Sequence, residues 1–294
     1  MSREACAAFL AWALPELGLA AKGYRRVRRQ VCRRIGQRAA ELRLPDLTAY
    51  RSYLEARPAE WEVLAGFCRI PISRFYRDAP VFDALGLSVL PALAQNLEER
   101  GGFELSAWSA GCASGEEPYS VALLWHFRLA AHFPGIALRI LATDADPGLL
   151  ERAQRACYRR SSLKELPNAW RTAAFEPQND HLCLKEQFRR KVEFEHADLC
   201  GPAPTRRFDL VLCRNVAFTY FDPAGRHRAL ARLIAALEPG GALVIGRKEG
   251  LPAGAAGLLP WDDLPCIYRR QPEDQAAAAN AASNSAASAP GRSA

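Results

Sequence analysis

The sequence predicts an α/β fold, a Rossmann-like sheet that follows an all-helical N-terminal domain. Three observations predict it. Residues 103–120 pass from apolar and small residues, through a loop bracketed by Gly111 and Gly115, into a helical pattern at Tyr119, Val121, Leu123, Leu124 and Phe127. Strand, glycine loop and helix in that order is how an α/β sheet presents a nucleotide-like ligand. Further strand patterns end in chemically active residues, at Asp144 and at Arg214-Asn215. Residues 1–80, by contrast, carry helical spacings only.

The whole chain narrows the class. With 294 residues there is room for one large domain and a small one, and 49% hydrophobic residues is ordinary for a globular protein. No apolar run approaches the ~20 residues of a membrane span. Glu4 and Pro15 spoil a signal-peptide reading of the N-terminus. Nine cysteines, scattered and without a C-x-x-C pair, fit buried thiols in a reducing cytoplasm better than disulfides or zinc. Five histidines show no ligand spacing, so no metal is expected. The net charge of +7 suits nucleic acid, an anionic membrane surface or an acidic protein partner, and its sign alone does not rank them.

In chain order, Phe9, Leu10, Ala13 and Leu14 give a first helix face, broken or redirected at Pro15 and Gly18. Tyr24, Val27, Val31 and Ile35 form a helix stripe, with Arg25, Arg26, Arg28, Arg29, Arg33, Arg34 and Arg38 on the other face. Such a run is usually a solvated face. Seven arginines without an interleaved acid repel one another unless an anion is near, which favours a polyanionic partner. Two more helices carry Tyr50 and Leu54, then Trp61, Leu64 and Phe67. Pro71 breaks the segment that follows, and residues 81–100 read as a helical connector.

Beyond the glycine loop, residues 137–143 form a strand ending at Asp144, placed to accept from ribose hydroxyls; Asp146 before Pro147 is the better helix N-cap. Residues 158–190 read as a small insertion, with a short antiparallel ribbon. Strands resume at 191–196, 208–213 and 242–245, with a last short one at 266–268. From residue 271 the composition collapses to Ala, Asn, Ser and Pro, a disordered tail. The domains expected are 1–80, 81–270 and the tail 271–294.

The loop chemistry leaves two readings. Its spacing is G-x-x-x-G, not the dinucleotide G-x-G-x-x-G, and Glu116-Glu117 follow at once. Carboxylates there repel a phosphate but suit an ammonium, such as that of S-adenosylmethionine. Equally, they complement the positive end of the helix dipole.

Together, residues 108–120, 142–146, 208–216 and 237–241 resemble one family, the chemotaxis receptor methyltransferases or CheR family. The likeness covers roughly residues 9–270 and includes the basic N-terminal helix. It implies a Rossmann-like S-adenosylmethionine-dependent methyltransferase sheet, and glutamate side chains on receptor helices as methyl acceptors. By position, Glu117 would meet the methionyl ammonium, with Gly111 beside it in the loop, and Asp144 the ribose. Asp198-Leu199 would flank the adenine, and Arg214-Asn215 would line the methionine end. Phe75-Tyr76-Arg77 matches the family's Phe-Phe-Arg, so Arg77 would reach the active site, and Tyr220 lies near the family's active-site tyrosine. The departures are Ile70-Pro71-Ile72-Ser73 where the family shows Thr-Asn-x-Thr, with Ser73 standing in for a threonine, and Gly246-Arg247-Lys248-Glu249 for Gly-His-Ser-Glu. The loop to Tyr220 is one residue longer, and the insertion lacks a glycine-rich turn. These imply a divergent member that needs no tethering pentapeptide.

The function expected on this basis is a cytoplasmic, monomeric protein-glutamate O-methyltransferase. Its substrate would be an acidic helical protein, a chemoreceptor cytoplasmic domain, and not nucleic acid. The alternative is the same scaffold acting on a small carboxylic acid or a non-receptor protein. A non-catalytic sensor is disfavoured because Glu117, Asp144 and Asn215 are all present. Arg77 and Tyr220 are the candidate catalytic residues.

Overall fold

A computed structural model describes residues 2–202, 204–262 and 264–272. The disordered tail expected from residue 271 therefore falls almost wholly outside the described residues.

Residues 3–68 fold as four α-helices around their own core. Helix Arg3–Glu16 is capped by the Ser2 hydroxyl, which accepts from the Ala5 N–H, and buries Phe9, Leu10, Ala13 and Leu14. Helix Arg28–Glu41 buries Val31, Ile35 and Ala39, one every four residues. Asp46 caps helix Leu47–Ala56, and Pro58 opens helix Pro58–Cys68. The expected basic stripe changes in two ways. Tyr24 lies in a separate 3-10 turn, Ala21–Tyr24, and Gly23 within it lets that turn approach the Thr219 carbonyl, which a Cβ would strike. Two of the seven arginines also serve the fold. Arg34 donates to the Phe67 and Arg69 carbonyls, and Arg38 makes a paired bond to Glu60 at 2.9 Å on each arm. Arg25, Arg26, Arg29 and Arg33 remain exposed.

The main sheet has seven strands. They are β1 (Glu104–Ala110), β2 (Ala137–Asp144), β6 (Val192–His196), β7 (Phe208–Cys213), β8 (Leu237–Ile245), β9 (Leu258–Trp261) and β10 (Leu264–Arg270), in the order β6-β2-β1-β7-β8-β10-β9. The first five in that order run parallel, and β10 enters antiparallel between β8 and β9. This is the doubly wound order with an antiparallel hairpin at one edge. All six residues of β7 are buried, as a strand covered on both faces requires. Helices Leu90–Glu99, Glu116–Leu124 and Pro223–Ala235 supply that cover.

Strand β8 begins earlier than the residue pattern indicates, at Leu237, taking in the Pro239-Gly240-Gly241 stop. The register against β7 shifts there, and Gly241 lets the Asp209 carbonyl come close. Strand β9, absent from the sequence reading, contains Pro260 and lies at the sheet edge, where proline is tolerated.

Between β2 and β6 stands a second sheet of β3 (Cys157–Arg159), β5 (His181–Leu184) and β4 (Phe175–Gln178), in that spatial order. The Phe75 N–H donates to the Ser162 carbonyl, and the Phe75 ring packs edge-on against Tyr158 and Phe175. The broken segment around Pro71 is thus clamped to the insertion. Free thiols were expected throughout, and two pairs correct this. Cys6–Cys32 joins the first two helices, and Cys157–Cys183 joins register partners of β3 and β5. Nothing in the cysteine spacing marks either pair. Among the described residues no helix is long and apolar enough to cross a membrane.

Glu60 is the polar keystone of the helical unit. It accepts from Arg38 and from the Tyr50 hydroxyl at 3.0 Å and is only 6% exposed. Its hydrogen bonds to Arg38 hold its carboxyl below the ordinary value, overcoming burial. Glu60→Ala should cost about 2 kcal/mol in urea unfolding, because it strands the Arg38 and Tyr50 donors. Since the folded pKa is the lower one, this stabilisation is full above the unfolded value of about 4.3 and is lost as pH falls through the folded value. The wild-type advantage over the alanine variant should therefore vanish in acid.

Candidate active site

The parallel strands deliver their chemistry at their C-terminal ends, where an open α/β sheet binds ligands. After β1 the chain turns through Gly111 (φ +79°), Ala113 (φ +49°) and Gly115 (φ +89°). Gly111 is required by contact as well as by angle, since a Cβ there would meet the Val216 side chain. The Gly111 and Cys112 N–H groups both donate to the Thr143 carbonyl at the end of β2. The loop is thereby sewn to the strand that carries Asp144.

The two glutamates that follow take different roles. Glu116 is buried and accepts from the Ser114 hydroxyl at 2.9 Å, a bond within the loop. Glu117 accepts from the Ser109 hydroxyl at 2.7 Å and from Arg214 at 3.3 Å. Burial pushes the Glu117 carboxyl above its ordinary range, with Arg214 opposing the rise. Asp144 accepts from the Ala113 N–H at 2.8 Å and the Asp146 N–H at 3.0 Å, and burial pushes it up as well. Each of its oxygens still has a lone pair for a further donor. Asp146 caps helix Pro147–Arg155 through the Gly148 and Leu149 N–H groups.

Two adjoining cavities receive these groups. The larger, of about 210 Å³, is lined by Gly111, Asp144, Asp198, Leu199, Asn215 and Tyr220, together with Tyr24, Arg69 and Pro71 from the N-terminal part of the chain. The smaller, of about 50 Å³, is lined by Ser73, Arg77, Glu117, Arg214 and again Gly111 and Asn215. Every site residue singled out in the sequence thus lines one cavity or the other. Arg77 donates to the Ile72 carbonyl at 2.7 Å and is only half-buried. Tyr220 ends the short helix Ala217–Tyr220, its ring tilted against Tyr24 with centroids 5.1 Å apart. Burial pushes its hydroxyl up, and the charge of Arg77 opposes this. Asp198 is exposed and turns one oxygen to the Cys200 N–H.

Three residues were missed. Asp78, at φ +61°, pairs with Arg214 at 3.0 Å; Ser109 orients Glu117; Glu249 holds the loop after β7. None belongs to a periodic pattern. The signals available were the adjacency of Asp78 to Arg77, the place of Ser109 in the 108–120 stretch, and the match of Glu249 to the last residue of the family's Gly-His-Ser-Glu.

The site fits an amino-acid group. The Arg214 side chain is 2% exposed, and its Nε is a buried donor without a partner. Glu117 is a buried carboxylate that shares its one guanidinium with Asp78. Two carboxylates thus share one guanidinium, leaving the cluster short of one cation, which the ammonium of a methionyl group would supply, while Arg214 Nε can still donate to an acceptor.

The chain is similar to known proteins. A family model described as CheR methyltransferase, SAM binding domain, matches residues 72–259. A chemotaxis protein methyltransferase of Salmonella typhimurium is 32% identical over 233 residues, 76% of this chain and 76% of the relative. One from Listeria monocytogenes is 36% identical over 181 residues, 61% of this chain and 65% of the relative. A protein of Rhodobacter capsulatus, described as an uncharacterized 104.1 kDa protein in the hypE 3′ region, is 34% identical over 224 residues, 75% of this chain. The chain spans only 23% of that relative's length. S-adenosylmethionine is the cofactor of such a domain, and Glu117, Arg214 and Asp144 are the groups that would hold it here.

Glu117→Gln should weaken S-adenosylhomocysteine binding, measured by calorimetry, by roughly tenfold or more, the loss of one charge-assisted bond. Because the free Glu117 carboxyl is raised and an ammonium favours its ionised form, wild-type affinity should decline on acidification. The decline should begin above the ordinary glutamate pKa of about 4.3 and be absent from the glutamine variant.

Proposed function

The chain belongs to the CheR methyltransferase family, and we propose that it methylates glutamate side chains of a chemoreceptor-type protein, forming methyl esters. The observation that carries this reading is the charge at the smaller cavity. Three guanidinium groups, Arg74, Arg77 and Arg214, line it beside the single carboxylate of Glu117, and among the described residues no histidine lines either cavity. Such a site has a place for an anion and no evident base to generate one. A glutamate acceptor needs none, being ionised at neutral pH with an ordinary pKa of about 4.3.

When bound, S-adenosylmethionine supplies a methyl group on a sulfonium, open to in-line attack by a carboxylate oxygen. The chain's own task is alignment and exclusion of water. Arg77 would hold the incoming carboxylate, since among the described residues its one hydrogen-bond acceptor is the Ile72 carbonyl. Tyr220, its hydroxyl pushed up by burial, stays protonated and can donate to the other oxygen. Leu17, Leu19 and Tyr24 close the larger cavity on the side of the N-terminal helices. The exposed Arg25, Arg26, Arg29 and Arg33 would meet an acidic helix of the substrate. Such a substrate places the reaction in the cytoplasm. A second acceptor class is kept open by Ile70 and Pro71, which make the wall of the larger cavity more apolar than the Thr-Asn of the family pattern.

The test is transfer of labelled methyl to a chemoreceptor cytoplasmic fragment, scored as base-labile counts released as methanol. Label on the fragment supports the proposal. Bound cofactor without base-labile label rules out this acceptor and points to another carboxylate. Arg77→Ala should lower kcat by about 100-fold. Its S-adenosylhomocysteine affinity should stay within about threefold of wild type. Full turnover by the variant would remove Arg77 from the mechanism.

A further inference from the structure

Glu249 is the most heavily used carboxylate near the site that has no place in the chemistry above. Its Oε2 accepts from the Asn215 N–H at 2.8 Å and from the Gly246 N–H at 2.7 Å, and its Oε1 accepts from the Thr219 hydroxyl. One side chain thus ties the end of β8 to two points of the loop that follows β7. That loop carries Asn215 and Tyr220 into the cavities.

The loop needs such a tie. Asn215 has φ +59°, a conformation that costs a non-glycine residue on the order of 1 kcal/mol and persists only when its surroundings impose it. The far end of the loop is held by the N-terminal part of the chain, where the Ala20 N–H donates to the Tyr220 carbonyl and the Asp222 N–H to the Gly18 carbonyl. At the near end, Arg214 is fixed by Glu117 and Asp78. Between them the Asn215 N–H has Glu249 as its partner. Gly246 admits this carboxylate, since a Cβ there would lie 2.7 Å from Glu249 Oε2 and 3.1 Å from Asn215 Cγ. In Gly246-Arg247-Lys248-Glu249 the first and last residues touch the loop, while Arg247 and Lys248 are exposed. This explains how the middle pair can depart from the family's His-Ser while the ends do not.

We infer that Glu249 is a positioning residue for the cofactor site, acting through Asn215 and Thr219 to hold the loop in its ligand-ready shape. The inference rests on Asn215 lining the cofactor site, and it is independent of which carboxylate receives the methyl group.

The test compares Glu249→Ala, Glu249→Gln and Glu249→Asp in the full chain. Two readouts are used, S-adenosylhomocysteine affinity by calorimetry and hydrogen exchange of the Asn215 amide without ligand. The alanine variant should bind about tenfold more weakly, the loss of roughly one charge-assisted hydrogen bond, and should lose protection at Asn215. Glutamine keeps the length and an accepting oxygen, so it should stay within about threefold of wild type. Aspartate, one methylene shorter, should behave like alanine, and it carries the test if alanine fails to fold. Wild-type affinity and Asn215 protection in the shortened variants, or a glutamine variant as weak as alanine, would overturn the role. Wild-type protein unable to bind S-adenosylhomocysteine would overturn the cofactor site, and this role with it, whereas failure to methylate a receptor fragment would leave both standing.

Discussion

The buried guanidinium of Arg214 is the constraint on which the site depends. A charge that is 2% exposed persists only with paired and hydrogen-bonded partners. Those partners come from two distant parts of the chain. Glu117 belongs to the helix after the glycine loop, and Asp78 and the Arg77 carbonyl belong to the segment that leaves the N-terminal helices. Fixing one side chain therefore fixes the first βα turn, the strand end that carries Asn215 and the backbone of Arg77 relative to one another. It also places strain where it can be held. Tyr76, Asp78, Ala113 and Asn215 all have left-handed φ values within this small region.

The same economy joins the helical unit to the sheet. Tyr24 donates to the Cys68 carbonyl and packs on Tyr220, while Gly18 and Ala20 make backbone bonds to the loop carrying Tyr220. A backbone bridge between Leu19 and Phe221 runs through the contact. The wall of the larger cavity is thus built from both units, so the N-terminal helices cannot act only as a docking module. Their position decides whether Tyr220 stands beside Arg77.

Much of this was legible in the sequence, for reasons that are local. The glycines at 111 and 115 need positive φ, and a strand that ends in Asp144 places its carboxylate beside the loop whatever the rest of the chain does. What was not legible depends on distant pairing. Arg34 and Arg38 read as part of a free basic face, because the Glu60 and backbone carbonyls they bind lie 22 to 35 residues away in sequence. Asp78 stands in no pattern, Glu249 only closes a segment compared with the family's, and both acquire a role only against Arg214 and Asn215. The two cystine pairs share no motif, and β9 holds a proline that argues against a strand until its edge position is known.

The charges at the smaller cavity bear on what the site can accept. Arg77 and Arg214 face Glu117 and Asp78, and Arg74, which also lines the cavity, is paired with Glu165, so the protein groups there balance in sign. An amino-acid moiety adds an ammonium and a carboxylate and leaves that balance unchanged, whereas a sulfonium adds one net positive charge. The loaded site would then be short of a single anion, at a small cavity where Arg214 and Glu117 are already largely shielded from water. A carboxylate cancels it and a neutral alcohol or a cationic amine does not, so the resting charge favours an acid as methyl acceptor. On the proposed reaction, formation of the ester would remove both charges together and weaken the hold on the product, which would let an ester depart from a site that bound its acid.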